Sequence, residues 1–205
     1  MNISKKISLI FSLLFLTFST ACVETVVVGT IATGAVITRE KNLTSTRDDM
    51  IISTQAGVSL VENGLKNVGN MVDVTVNEGR VLLTGIVRDS TKAKLASELV
   101  WKVQGVKEVI DEIQLRDGVK MKPKDFSIGF FDYIITSTIE AKMLINKKVS
   151  TYNYQITTVN KTVYLLGVAG NSDEMDAVLS IASKTSGVKK VVNHIILLND
   201  SRRHG

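Results

Sequence analysis

Between residues 72 and 115 the hydrophobic pattern changes period twice. Val72–Val76 and Arg80–Val87 are rich in β-branched and apolar residues and predict two strands. Asn77-Glu78-Gly79 between them has turn chemistry, with Gly79 free to take positive φ, so the strands form an antiparallel hairpin. After Asp89 or Ser90, either of which can cap a helix, Ala93, Ala96, Val100 and Val103 recur at i, i+3, i+7 and i+10. Gly105 stops that helix, and Val106, Val109, Ile110, Ile113 and Leu115 mark a third strand. Upstream, Asp48 or Asp49 is placed to cap a helix carrying Ile52, Ala56, Ser59 and Leu60, which Gly57 and Gly64 weaken.

The same order recurs downstream. A helix is predicted from about Asp132 to Lys147, with Phe131, Ile135, Ile139 and Met143 facing a sheet. Strands follow near Asn153–Thr158 and Thr162–Ala169 around Asn160-Lys161, then a helix capped by Ser172 and ended by Gly187, then a strand over Val188–Leu198. Val74–Leu115 and Ile156–Leu197 align without a gap at an offset of 82, with 12 identities in 42 positions. Chance would give roughly one match in sixteen, so the unit is duplicated.

Each copy reads αββαβ. A helical crossover makes the third strand parallel to the second. The fold class is therefore α+β: two tandem units, each a three-stranded mixed sheet with two helices on one face. Four glycines carry structural roles. At Gly85 and Gly167 a Cβ would obstruct the crossing helix or force an awkward φ, and Gly105 and Gly187 permit left-handed helix termination.

The N-terminus reads as a targeting segment. Lys5 and Lys6 precede an apolar run, Ile7–Phe18, too short to span a bilayer but suited to a signal-peptide core. Ser19-Thr20-Ala21 and then Cys22 follow, and Cys22 is the sole cysteine, so no intramolecular disulfide can form. Two outcomes stay open: lipidation of Cys22, or ordinary cleavage near Ala21. Val26–Ile37 is apolar and small, either a tether or a lipid-associated or domain-packing segment. The expected divisions are a signal peptide at 1–21, a tether at 22–46, units at 47–116 and 130–198, a linker at 117–129 around Gly118 and Pro123, and a frayed polar tail at 199–205.

Composition changes this picture in one respect. The 205 residues are 44% hydrophobic and 22% charged, as in a globular chain, but the net charge of +5 is uneven. Residues 39–118 hold 11 basic and 12 acidic side chains, whereas 119–205 hold 12 and 7. The basic second half suits either an anionic partner or a solvated surface. Catalytic chemistry is absent from the pattern. His194 and His204 have no metal-ligand spacing, Asp48-Asp49 reads as capping, Trp101 reads as packing, and no phosphate loop, dinucleotide fingerprint or nucleophile elbow occurs. No enzyme activity, cofactor, metal or nucleic-acid partner is expected.

The runs Val81–Gly85 and Val163–Gly167, with Gly105-Val106…Val109 and Gly187-Val188…Val191, resemble the BON domain, a small αββαβ module of bacterial envelope proteins. Cys22, Val27–Thr30, Asp48-Asp49 and the tandem units are similar to dual-BON-domain outer-membrane lipoproteins, although Ser19 stands where a lipobox usually has Leu, Ile or Val. The resemblance implies a bacterial outer-membrane lipoprotein, anchored through Cys22 and facing the periplasm. It also implies binding to anionic phospholipid of the phosphatidylglycerol type and support of outer-membrane integrity.

The first helix of the second copy is where that binding is expected. Ile134, Ala141 and Ile145 add a second apolar strip beside the sheet-facing one, edged by Lys142 and Lys148. Apolar residues rimmed by lysines suit the headgroup boundary, and the resemblance places the phospholipid contact there. Glu140 departs from that pattern. Packing of Ile134 and Ile145 against the first unit is the other reading. The alternative function is a protein-interaction scaffold, docking on an envelope or cell-wall assembly through the spare strand edge of each sheet.

Overall fold

The structure is a computed structural model that describes residues 43–67, 69–116 and 123–203. Cys22, Val26–Ile37 and the signal-peptide run lie outside the described residues. Residues Thr38–Gly205 form one compact unit. Its first half runs α1 (Leu43–Glu62), β1 (Lys66–Asn67), β2 (Asn70–Asn77), β3 (Arg80–Val87), α2 (Ser90–Trp101), β4 (Glu108–Asp111) and β5 (Gln114–Leu115). Its second half runs α3 (Pro123–Leu144), a 3-10 turn (Thr151–Asn153), β6 (Tyr154–Val159), β7 (Thr162–Ala169), α4 (Ser172–Ser183), β8 (Lys190–Leu197) and a last 3-10 turn (Ser201–Arg203). The α+β class and the αββαβ order are both present.

In each half a hairpin pairs antiparallel and the post-helix strand pairs parallel. The first sheet departs from its copy in two ways. Two-residue β1 adds a strand beside β2, and the third strand is interrupted, β4 and β5 each pairing with β3. At the interruption the Asp111 carboxylate accepts from the Ile113 amide, a local turn that competes with the ladder.

Each hairpin closes on two residues with positive φ, Glu78 and Gly79 in one and Asn160 and Lys161 in the other. That is the geometry of the primed turns that match strand twist. Three of those four residues are not glycine, so the turns need outside support. Asp49 supplies it in the first half, its carboxylate accepting from the Glu78 and Gly79 amides at 2.9 Å each. Asp132 does the same for Asn160 and Lys161, at 2.7 and 2.8 Å. Asp49 is thus no helix cap. It is buried inside a helix that starts earlier, at Leu43.

Asp89 does cap α2, accepting from the Lys92 amide, and a hydrogen bond from the Thr91 hydroxyl leads the effects holding its carboxyl below the ordinary range. In α4 the cap is Asn171 rather than Ser172. Glu174, three residues on, reaches back to the Gly170 amide and across to Ser150, completing a reciprocal cap.

Gly105 and Gly187 adopt φ of +92° and +91°. Gly85, at φ +114°, has no room for a Cβ, which would lie 1.8 Å from the Met71 carbonyl oxygen; at Gly167 it would lie 2.4 Å from that of Asn153. The obstruction comes from the neighbouring strand and its approach, not from the crossing helix.

Ile52, Ala56 and Leu60 of α1 and Ala96 and Val100 of α2 close over Val72, Val81, Leu83 and Val87. Ile135, Ile139 and Met143 of α3 and Val178 and Ala182 of α4 do the same over Val163, Leu165 and Ala169. The opposite faces of the two sheets meet through Leu82, Tyr164 and Leu166, flanked by Ile110, Val159 and Val192. The layers therefore run helix, sheet, sheet, helix. Burying each large side chain at that seam contributes about 1.5–3 kcal/mol.

Polar contacts frame the seam. Arg80, 1% exposed, pairs with Glu108 and donates to the His194 carbonyl at 2.9 Å. Gln114 donates to the Tyr164 hydroxyl at 3.1 Å. At the last described residue the tail meets the first half: Arg203 grips Glu78 through two bonds of 2.7 and 2.8 Å, and Lys107 donates to the Arg203 carbonyl. A guanidinium and a carboxylate matched in this way form the strong, directional class of ion pair.

Candidate functional site

Helix α3 is held in rotation from three sides. Ile135, Ile139 and Met143 are 4%, 0% and 0% exposed against the second sheet. Thr136 bonds Thr158 of β6 at 2.8 Å on one flank, and Lys142 donates to the Thr185 hydroxyl at 3.0 Å on the other. The remaining arc points outward. Phe130, Tyr133, Ile134, Leu144 and Ile145 are 62%, 69%, 42%, 70% and 80% exposed, and Ala141 is exposed among them. At about 100° per residue they span roughly 120° on the side away from the core, a largely apolar face interrupted by the half-buried Ser137.

Several site residues sit differently from the sequence reading. The helix begins at Pro123, inside the expected linker, and ends at Leu144 rather than Lys147. Proline suits a first helical turn, where its missing N–H has no partner to lose. Phe131, expected against the sheet, is 54% exposed and meets Phe130 edge-on at 6.2 Å. Asp132 holds the hairpin tip, so the helix N-terminal to it runs past the sheet and Phe131 has no strand beneath it.

Ile134 and Ile145 do not pack against the first half, because the sheet faces already fill that seam. Lys142 is turned toward α4 by Thr185, while Lys148 is exposed in the turn after the helix. The site residues brought together are therefore Ile134, Ala141 and Ile145, joined by Phe130, Tyr133 and Leu144. Phe130, Tyr133 and Leu144 could have been found from their helical phase: all three extend to one side the arc that Ile134, Ala141 and Ile145 define, within about 80° of its edge.

Sequence reading missed a second apolar strip on α1. Met50, Ile51, Val58 and Val61 are 67%, 47%, 52% and 57% exposed within an arc of about 100°. Among the described residues no helix is long and apolar enough to cross a membrane. No group of three or more His, Cys, Asp or Glu could hold a metal ion among them.

The BON domain profile matches twice, at residues 48–117 and 132–199. The chain belongs to the BON domain family. Its two BON domains coincide with the two halves described above. A protein of Anaplasma centrale, described as "Uncharacterized protein in gshII 5'region", is 33% identical over 76% of this chain and 99% of its own length. The outer membrane lipoprotein DolP of Haemophilus influenzae is 28% identical, covering 85% of this chain and 88% of that one. The osmotically-inducible protein Y of Escherichia coli is 28% identical over 72% of each. The tandem BON arrangement thus places this chain with proteins similar to DolP.

Proposed function

We propose that this protein is a non-enzymatic envelope lipoprotein of the bacterial outer membrane that binds anionic phospholipid through the outward face of α3. The observation that carries the reading is that face itself, with Phe130, Tyr133, Ile134 and Leu144, and Ile145 just past the helix end, all exposed while Ile135, Ile139 and Met143 on the other side are packed. An unsatisfied apolar face on a surface helix, followed by the exposed Lys147-Lys148, suits burial at the headgroup boundary with lysines attracted to anionic lipid. Similarity to a protein named an outer membrane lipoprotein supports the location, and Cys22 after the apolar run Ile7–Phe18 supports the anchor. Support of outer-membrane integrity follows as the role of such a module.

The compact unit Thr38–Gly205, which lacks the apolar run and Cys22, provides the test. It is expected to sediment with phosphatidylglycerol vesicles at low salt and less so at high salt. Ile134→Glu with Ile145→Glu should reduce binding at least about tenfold, since two anchoring side chains are replaced by charge. The thermal midpoint should hold, both positions being exposed. Absence of binding by the parent unit, or binding unaffected by the substitutions, would overturn the reading.

A further inference from the structure

Glu140 is the misfit of the α3 surface. A carboxylate beside a face laid on an anionic membrane is repelled by it, yet Glu140 is exposed at the rim of the apolar arc. Among the described residues it makes no hydrogen bond or ion pair.

Its surroundings supply a reason. Glu140 lines a pocket of about 400 Å³ between α3 and β6. Ala141 and Leu144 form the helix wall, Tyr154 and Ile156 the strand wall, and Thr151 adds a hydroxyl from the 3-10 turn. The pocket shares Ala141 and Leu144 with the exposed strip that carries Ile134 and Ile145, so a lipid laid against that strip is beside it. One carboxylate and two hydroxyls, those of Thr151 and of Ser137 on the helix, all able to accept, beside apolar walls complement a cationic donor attached to a lipid.

We infer that this pocket takes the headgroup of a phospholipid bearing a primary ammonium, of the ethanolamine type, with Glu140 as its counter-ion. Three N–H donors on the ammonium match the acceptors of Glu140, Ser137 and Thr151. A trimethylammonium headgroup carries the same charge and no donor. The inference rests on the α3 reading above and adds a second lipid specificity: anionic lipid draws the surface down, and the amine-bearing lipid neutralises the one acidic group on its rim.

Vesicles of phosphatidylglycerol mixed with either phosphatidylethanolamine or phosphatidylcholine, at equal anionic content, test it with the unit Thr38–Gly205. The unit is expected to bind the ethanolamine mixture about fivefold more tightly than the choline mixture. Glu140→Gln should erase that difference while leaving the thermal midpoint in place. Equal binding of the parent unit to both mixtures, or a preference that survives Glu140→Gln, would overturn the inference and leave the α3 reading intact. Failure to bind either mixture would overturn both.

Discussion

His194 Nε2 lies 2.9 Å from Glu112 Oε1, and these residues are 82 positions apart, the offset of the repeat itself. Thr75 and Thr157, hydrogen-bonded at 3.2 Å, are also 82 apart. Leu82 and Tyr164, and Ile110 and Val192, keep the same spacing within the seam cluster. Residues that meet their own counterparts lie along a two-fold axis. The two BON domains thus pack like the halves of a symmetric dimer joined in one chain.

That symmetry makes the seam the point at which the domains unfold together or apart. Leu166, fully buried there, is the side chain to remove. Leu166→Ala is expected to cost about 3 kcal/mol through lost burial and the cavity left behind. Leu166→Asp should split one cooperative urea transition into two, read by circular dichroism. A single unshifted transition would show that the domains do not depend on the seam.

Arg203 extends the seam into the tail. Its side chain is 13% exposed and that of Glu78 is 10% exposed, so removal of either leaves a largely desolvated charge without the opposite charge that faces it. Arg203→Ala is expected to lower stability by about 2–4 kcal/mol. The combined Arg203→Met and Glu78→Gln variant should recover part of that loss, because neither charge then remains. Thermal melts of the three proteins would show it.

The paired strands, the hairpins, the αββαβ order and the repeat were legible because each rests on local periodicity and turn chemistry, as at Val81–Gly85 and Asn160-Lys161. The seam was not. Leu82, Tyr164 and Leu166 alternate with the residues of their own domain cores, and alternation shows that a strand has two apolar faces without showing what covers the second. Asp49 and Asp132 were misread or passed over for a related reason. Their targets lie at |i−j| of 28–30, beyond the reach of any capping pattern. On α3 the apolar strip was legible, but the turning of Lys142 toward Thr185 depends on a helix 43 residues away.

Asp132 therefore has a stated role that can be measured. Asp132→Ala removes two charge-assisted bonds from the Asn160-Lys161 turn, and about 2 kcal/mol of destabilisation is expected. Lys161→Gly should act in the opposite direction. Lys161 sits at φ +64°, where a Cβ is strained, and glycine relieves that strain at a smaller entropic cost. A gain of about 0.5–1 kcal/mol is expected by chemical denaturation. No gain would mean that the turn is set by Asp132 alone.

Tyr164 gives the seam a pH signature. Burial pushes its phenol above the usual value near 10, partly opposed by the hydrogen bond from Gln114. The folded protein thus holds that proton more tightly than the unfolded chain does. The associated stability is present below the unfolded value and is lost as pH rises past it and through the higher folded value. Melting temperature should fall more steeply above about pH 10 in the parent than in Tyr164→Phe. Identical slopes would place the phenol in water.

Lys142 separates the two ways of reading α3. A lysine edging the apolar strip would contribute to vesicle binding as Lys148 does in the proposed function. The structure directs its ammonium to Thr185, on the seam between α3 and the end of α4. Lys142→Met keeps most of the aliphatic stem and removes the charge and the bond. Vesicle binding is expected to stay within about twofold of the parent, and stability to fall by about 1 kcal/mol. Lys148→Met should do the reverse, weakening binding several-fold, with more effect at low salt, and leaving the melt unchanged, because Lys148 is exposed. If Lys142→Met weakened binding as much as Lys148→Met, the lysine at 142 would have to leave Thr185 to reach the membrane, and the rotation of α3 inferred from that contact would be wrong.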